Sequence, residues 1–236
     1  MDVCDHYGEL HGNARAVLQS ILDNTKFYQQ LTASHNYLLD YERLRLAISH
    51  RPESSVADHA MVEYQRALLA LTKGQYRYAY SGLRLFFELM LSVVHFSAHE
   101  IDLHLWLKDS KDINWGSLKA PDTGVLSAGF IKAFSPALSE NAKQYSAIAE
   151  QVYRECSEYV HGNAHTHRSL PNDISLDEVA FLEWHQKAAS IRMVVVFVFA
   201  ARYMSGLDSE SSDKVEPVFV DVLGHIAAIQ GHYAAA

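Results

Sequence analysis

The chain is poor in cysteine, proline and glycine. Its 236 residues include only 2 cysteines, 5 prolines and 11 glycines. The two cysteines, Cys4 and Cys156, are too few for a disulfide framework and lack metal-ligand spacing, which indicates a reducing cytoplasm. The scarcity of proline and glycine leaves long segments in which apolar residues recur three and four positions apart. We therefore predict an all-α helical bundle.

Long apolar runs and an excess of basic residues are also missing. The longest purely apolar run, Met193 to Ala201, has nine residues, whereas a helix that spans a bilayer needs about 20. The N-terminal segment has no apolar stretch of the secretory kind, so we expect no signal peptide and no membrane segment. The net charge of −8 argues against broad affinity for nucleic acid, so any nucleic acid must bind at a local site.

The apolar pattern divides the chain into helices of one domain. A hydrophobic content of 49% is enough for one core, and we predict a single all-helical domain over residues 1–236. A capping box from Ser175 to Glu178 precedes the run Val194 to Phe199, which we expect to be the most buried segment. The connections are predicted at residues 51–55, 74, 108–124, 163–173 and 208–214. The predicted helices cover about residues 12–49 (continuous or broken), 56–72, 76–106, 126–134, 139–161, 176–205 and 217–230.

A helical hairpin is predicted around Gly74. The segment from Ala67 to Leu89 resembles a tetratricopeptide hairpin, with Gly74 at the turn and Gly82 where the two helices approach closely. No second copy follows at a period of about 34 residues, so we interpret the segment as a single hairpin within a bundle. Arg84 and Glu88 lie four residues apart on its second helix, and we expect them to pair with each other or with a buried partner.

Signatures of metal and cofactor chemistry are weak or missing. His95 and His99 have the spacing of a zinc-chelating pair, but the adjacent glutamate of the HExxH pattern is not there. His165 and His167 give an equally weak metal signal. The chain has no Walker A loop, no dinucleotide fingerprint and no glycine-flanked nucleophilic serine. We therefore predict neither metal nor cofactor, and we interpret Cys156 as an inert buried thiol.

Arg154 and His161 lie seven residues apart at the end of the predicted helix 139–161. An α-helix advances about 100° per residue, which places Arg154 at roughly 200° and His161 at roughly 180° from Val152. Both therefore face away from the apolar stripe, with Lys143, Glu150 and Ser157 nearby. The predicted stripe consists of Tyr145, Ile148, Ala149, Val152, Cys156, Tyr159 and Val160.

Arg154, six intervening residues and His161 match the Arg-x4-6-His signature, so the chain resembles the HEPN superfamily. A polar residue, Glu155, follows the arginine, and a long helical hairpin precedes the motif. The resemblance covers about residues 56–205 and leaves the helices at 12–49 and 217–230 as additions. It implies a core of four to five helices that dimerises, so that two copies of the motif line one cleft.

The resemblance also implies an activity, because many HEPN proteins are metal-independent endoribonucleases in toxin–antitoxin, phage-defence and RNA-processing systems. By position, His161 would be the general acid or base acting on the ribose 2′-hydroxyl or the leaving oxygen. Arg154 would hold the scissile phosphate and stabilise charge in the transition state. The implied partners are RNA, a second copy of the chain and an antitoxin or defence-system protein. Further substrate contacts are expected from Ser157, Glu155, Tyr159, His165, His167 and Arg168.

A second interpretation stays open at this point. The chain is acidic, it has no basic footprint, and Glu150, Glu155 and Glu158 surround the motif. A surface of this kind is typical of a noncatalytic HEPN-like module, which dimerises and contacts a protein partner or a nucleotide. The sequence alone does not decide between the two hypotheses.

Overall fold

The structure is a computed structural model that describes residues 2–161 and 163–234, without the side chain of His165. These residues form twelve α-helices and two short 3-10 helices, and they include no β-strand. The prediction of an all-α helical bundle is therefore confirmed. The 3-10 helices cover Pro136–Asn141 and Met204–Gly206. The α-helices are α1 (Val3–Asp23), α2 (Thr25–Ala47), α3 (Ser54–Thr72), α4 (Tyr76–Phe96), α5 (Glu100–Trp106), α6 (Trp115–Leu118), α7 (Ala128–Phe134), α8 (Ala142–Val160), α9 (Ala164–Ser169), α10 (Glu178–Tyr203), α11 (Ser209–Leu223) and α12 (Ala227–Ala234).

The α3–α4 hairpin and α10 form the centre of the bundle. Gly74 joins the hairpin with a φ of +70°, a left-handed conformation that glycine adopts without steric cost. A Cβ added at Gly82 would lie 3.0 Å from the Cβ of Ala67, so α3 and α4 are in close contact. Helix α4 packs on α8 and α10, and α2 packs on α10 and α11. The predicted hairpin is thus confirmed.

Helix α10 contains a fully buried apolar run. Every residue from Val194 to Phe199 is at most 1% exposed, as predicted. The segment Glu178–Gly206 is long enough and apolar enough to span a membrane, but 67% of its most apolar window is buried inside the protein. The core helix of a soluble protein has the same properties, and the burial of α10 is consistent with one.

The N-terminal helix prediction is wrong at its start. Helix α1 begins at Val3 rather than near residue 12, because the Asp2 side chain caps it by accepting a backbone N–H bond. The helical segment is interrupted at Asn24. The side chain of Asn24 accepts hydrogen bonds from two backbone N–H groups in the first turn of α2. Val17, Ile21 and Phe27 from these helices belong to the same apolar core as the hairpin.

The predicted helix 76–106 is also wrong, because it is two helices, α4 and α5. Helix α4 ends at Phe96, and Arg202 of α10 donates hydrogen bonds to both the side chain and the carbonyl oxygen of Ser97. The Ser97 hydroxyl in turn donates to the carbonyl of Val94. A long-range side chain therefore satisfies the end of α4, and no local pattern reveals such a contact.

The predicted secondary structure is wrong in three polar segments. The predicted linker 208–214 is the first half of α11, which Asp208 caps by accepting the N–H of Ser211 at 2.7 Å. The predicted helix 217–230 is therefore wrong, because α11 ends at Leu223 and α12 begins at Ala227. The predicted loop 163–173 contains the short helix α9. The predicted capping box is wrong as well, because Asp177 caps α10 while the Ser175 hydroxyl donates to Asp173. Serine and aspartate both cap helices, so sequence alone does not select between neighbouring candidates.

Candidate functional site

An open groove with a volume of about 600 Å³ runs along the exposed side of α8. Helix α8 and the residue that follows it supply most of the lining, while α6 and its C-terminal flank supply an indole and an ammonium group. The groove brings together three predicted site residues, Arg154, Ser157 and His161. Its full lining is Trp115, Lys119, Ala147, Glu150, Gln151, Tyr153, Arg154, Ser157 and His161.

The end of α8 keeps Arg154 and His161 two turns apart on one face. The last helical residue is Val160, and His161 follows with φ −82° and ψ 4°. The backbone N–H of His161 still donates to the carbonyl of Ser157 at 3.1 Å, so the last turn stays intact. Both motif side chains are exposed, whereas Val152 on the opposite face is 3% exposed. The predicted orientation of the pair away from the core is confirmed.

One residue of the predicted apolar stripe does not belong to the core. Val160 is 44% exposed, because it is the last residue of α8 and lies at the edge of the packed region. Cys156, one turn earlier, is fully buried, and burial raises the pKa of its thiol to about 12. The interpretation of Cys156 as an inert buried thiol is consistent with that pKa. Gly162, the predicted helix stop, lies outside the described residues.

A stacked aromatic pair forms part of the groove. The rings of Trp115 and Tyr153 are parallel to within 2°, with centroids 3.7 Å apart. The Tyr153 hydroxyl donates to Glu88 at 2.8 Å and accepts from Arg84 at 2.6 Å. Arg84 and Glu88 lie 3.2 Å apart and pair with each other, one of the two predicted alternatives. Burial and the neighbouring Glu88 carboxylate raise the pKa of Tyr153 to about 12, so it stays protonated at neutral pH.

Glu155 does not line this groove. Its carboxylate accepts a hydrogen bond from Gln151 at 3.0 Å and forms a 3.2 Å ion pair with Lys187 of α10. Burial alone would raise the pKa of Glu155, but the hydrogen bonds and the charges of Lys187 and Arg154 together lower it. The side chain thus lies in a separate hollow between α8 and α10. Of the three glutamates around the motif, only Glu150 lines the groove of Arg154 and His161.

Tyr159 also lies apart from the groove lining. Its ring stacks on that of Tyr80, with centroids 3.9 Å apart and an interplanar angle of 3°. Its backbone carbonyl accepts a hydrogen bond from Arg77 at 2.5 Å. Tyr159 therefore connects the end of α8 to α4.

The loop residues after the motif occupy a different region. His167 lines a second groove of about 530 Å³ between the start of α4 and α9. Arg77 also lines it, and its guanidinium lies 3.3 Å from the Thr166 hydroxyl and 3.5 Å from Nδ1 of His167. Arg168 is exposed and lines neither groove. The predicted position His165 lies outside the described side chains.

Sequence reasoning missed five groove residues: Trp115, Lys119, Ala147, Gln151 and Tyr153. A helical wheel extended to all of α8 could have found Ala147 and Gln151, which lie at roughly 220° and 260° from Val152 and so adjoin Arg154, whereas Tyr153, at roughly 100°, lies between the two faces. Trp115 and Lys119 belong to the irregular connection 108–124, where no periodic pattern indicates which side chains face the motif.

The predicted weak histidine pair is engaged in other contacts. The rings of His95 and His99 are 4.4 Å apart, but Nε2 of His95 lies 3.0 Å from Asp102. The other oxygen of Asp102 pairs with Lys111 at 2.6 Å. Within the described part of the chain, no group of three or more His, Cys, Asp or Glu side chains could hold a metal ion.

Comparison with known proteins gives no match: no protein-family model, no curated protein and no solved structure is significantly similar to the chain. The motif, the all-α fold and the groove therefore carry the functional argument by themselves.

Proposed function

We propose that this chain is a metal-independent endoribonuclease of the HEPN type. The observation that carries the proposal is the convergence of Arg154, Ser157 and His161 on one open groove, on the side of α8 away from the core. A cation and an imidazole at one site are sufficient for RNA cleavage without a metal, because the ribose 2′-hydroxyl supplies the nucleophile.

Both motif side chains are available to a ligand. Among the described side chains, which exclude that of His165, neither Arg154 nor His161 makes an ion pair or a side-chain hydrogen bond. Arg154 would bind the scissile phosphate and stabilise its developing charge. His161 would transfer the proton of the 2′-hydroxyl or of the leaving oxygen, because an imidazole can both accept and donate a proton. The Ser157 hydroxyl donates to the carbonyl of Tyr153 at 2.6 Å, which leaves its oxygen able to accept from the substrate.

The charged side chains in the groove repel RNA less than the acidic sequence suggests. Lys187 offsets the charge of Glu155, and that pair lies in a separate hollow. The groove itself contains two cationic side chains, Lys119 and Arg154, against one carboxylate, Glu150. A phosphate backbone can therefore enter this local site although the net charge of the chain is −8.

We further propose that the working form is a cytoplasmic homodimer in which two grooves share one cleft, as in other HEPN nucleases. A groove open on one side supports this, because a second copy would enclose the substrate. Light scattering should then give twice the chain mass of 26.6 kDa. The proposed roles as a toxin or phage-defence effector, and the antitoxin or defence-system partner, depend on this activity.

The experiment is cleavage of single-stranded RNA by purified protein in EDTA. We expect His161→Ala and Arg154→Ala each to reduce cleavage by at least a hundredfold. The matched controls are His104→Ala and Arg66→Ala, which remove an exposed histidine and an exposed arginine outside the groove. The controls should cleave like the wild type. If all four variants cleave equally well, the assignment is wrong.

A noncatalytic module is the second candidate, and Glu150 is the observation that favours it. A carboxylate in the groove repels a phosphate and suits a protein partner or the amino group of a nucleotide base. This candidate predicts binding without cleavage, and binding that depends on Arg154 and His161. The same protein preparations distinguish the two functions.

A further inference from the structure

We infer that the Trp115–Tyr153 stack is a nucleobase-binding subsite for single-stranded RNA. It would place one base beside the phosphate held by Arg154. The identity of the ligand rests on the proposed function, whereas the stacking itself is measured without any cleavage.

The stack lies on the same groove as the motif. Trp115 and Tyr153 both line it, together with Arg154 and His161. Tyr153 directly precedes Arg154 in the chain and lies one turn before Ser157 on α8. Both aromatic side chains are only partly buried. The pair therefore lies at the edge of the core and also lines the open groove.

Contacts with α4 fix the orientation of the Tyr153 side chain. Its hydroxyl is held by Glu88 and Arg84 of α4, and the guanidinium of Arg84 lies 4.7 Å from the centre of its ring. The hydrogen bonds and the cation–π contact keep the ring in one position before a ligand arrives. Binding on a surface that is already ordered costs little conformational entropy.

Trp115 is held by its own short helix. Asn114 caps α6 by accepting the N–H of Gly116 at 2.7 Å, and Leu118 anchors the helix with 2% exposure. The ring of Phe87 lies 6.0 Å from that of Trp115 on the core side. The indole is therefore positioned by its helix and by Phe87 on the core side, in addition to its stacking on Tyr153.

The chemistry of the groove fits a nucleotide rather than an apolar ligand. An aromatic surface stacks on any base, and a neighbouring cation contacts the phosphate next to it. Lys119 lines the same groove four residues after Trp115, and Arg154 follows Tyr153. Bases in a duplex are already stacked on each other, so this arrangement selects a single strand with an accessible base.

The test uses two noncleavable oligonucleotides of the same length and charge. One is a 2′-O-methyl oligoadenosine, which lacks the nucleophilic hydroxyl, and the other is its abasic counterpart. Wild-type protein should bind the base-bearing strand more tightly. Trp115→Ala should weaken that binding about tenfold and leave the abasic strand unaffected. Trp115→Phe keeps a flat ring and should retain most of the affinity.

Folding is checked by circular dichroism. If Trp115→Ala does not fold, Trp115→Leu replaces it, because leucine keeps apolar volume without a flat ring. The inference is overturned if the nonaromatic variant binds the base-bearing strand like the wild type. It is also overturned if both strands lose affinity equally, because the role of Trp115 would then be structural.

The outcome is separable from that of the proposed nuclease. If the wild type binds the base-bearing strand more tightly but does not cleave RNA, the proposed nuclease activity is contradicted and the base-binding subsite is supported. If cleavage depends on Arg154 and His161 but binding does not depend on Trp115, the subsite is contradicted and the nuclease activity is supported.

Discussion

Arg77 donates a hydrogen bond to the backbone carbonyl of Tyr159 at 2.5 Å, two residues before His161. The last carbonyl groups of a helix have no partner within the helix, and an arginine can satisfy one of them. The contact joins the start of α4 to the end of α8. Arg77 thereby holds the backbone that carries the motif histidine, and we interpret it as a positioning residue.

Arg77→Ala should lower kcat about tenfold while KM changes little, because substrate contacts remain but His161 loses its fixed position. Arg77→Lys should restore part of the rate, since an ammonium can reach the same carbonyl. The measurement is steady-state cleavage at a temperature where circular dichroism shows every variant folded. A folded Arg77→Ala protein with wild-type kcat would contradict the positioning role.

Glu150→Gln should increase affinity for single-stranded RNA about threefold to fivefold, because one partly screened repulsion on the phosphates is removed. Glu158→Gln is the matched control, since Glu158 lies on the same helix but does not line the groove. Fluorescence anisotropy at two salt concentrations checks both variants. A loss of affinity in Glu150→Gln would mean that the carboxylate accepts a hydrogen bond from the ligand.

His185 makes stability depend on pH. Nδ1 of His185 lies 2.7 Å from the hydroxyl of Ser34, the side chain is 3% exposed, and burial lowers its pKa to about 4. The unfolded pKa is about 6.5, so the folded state favours neutral His185. The stabilisation is complete above pH 6.5 and is lost as the pH falls from about 6.5 towards 4. The loss amounts to about 3 kcal/mol.

Urea unfolding at pH 7 and pH 4.5 measures this difference. His185→Gln should show a smaller decrease in the free energy of unfolding between the two pH values than the wild type. Buried His95 has a pKa lowered in the same direction, so a residual dependence should remain in the variant. Identical pH dependence in both proteins would contradict the assignment to His185.

Tyr153→Phe separates the hydroxyl network from the stacked ring. Loss of the hydroxyl removes the hydrogen bonds to Glu88 and Arg84, which should lower the free energy of unfolding by about 1–2 kcal/mol. The phenyl ring still stacks on Trp115, so affinity for the base-bearing strand should change by less than threefold. Thermal unfolding and the binding assay measure the two effects independently. A variant that loses base-dependent affinity would show that the hydroxyl is needed to hold the ring.

The parts of the site that lie on one helix were predictable from sequence. Helical periodicity placed Arg154 and His161 on one exposed face, because every position of α8 follows from a regular rotation per residue. It placed Val152 and Cys156 in the core for the same reason. The same periodicity wrongly predicted Val160 in the core, since a helical wheel does not show where the neighbouring helices end.

The parts that depend on distant contacts were not predictable. The sequence shows Glu155 beside the motif, but only the packing of α8 on α10 brings Lys187 to it. Trp115 comes from a connection without periodicity, and its stacking on Tyr153 depends on the tertiary fold. The two helices on either side of Ser97 were merged for a comparable reason, because the arginine that satisfies the end of α4 lies about a hundred positions away on α10.

In the proposed nuclease, Arg154 and His161 together cleave RNA through the ribose 2′-hydroxyl. The most direct measurement is mass spectrometry of the products formed from single-stranded RNA in EDTA by wild type, Arg154→Ala and His161→Ala. We predict 2′,3′-cyclic phosphate ends from the wild type and intact RNA with either variant. Cyclic phosphate products that persist in both variants would contradict the account.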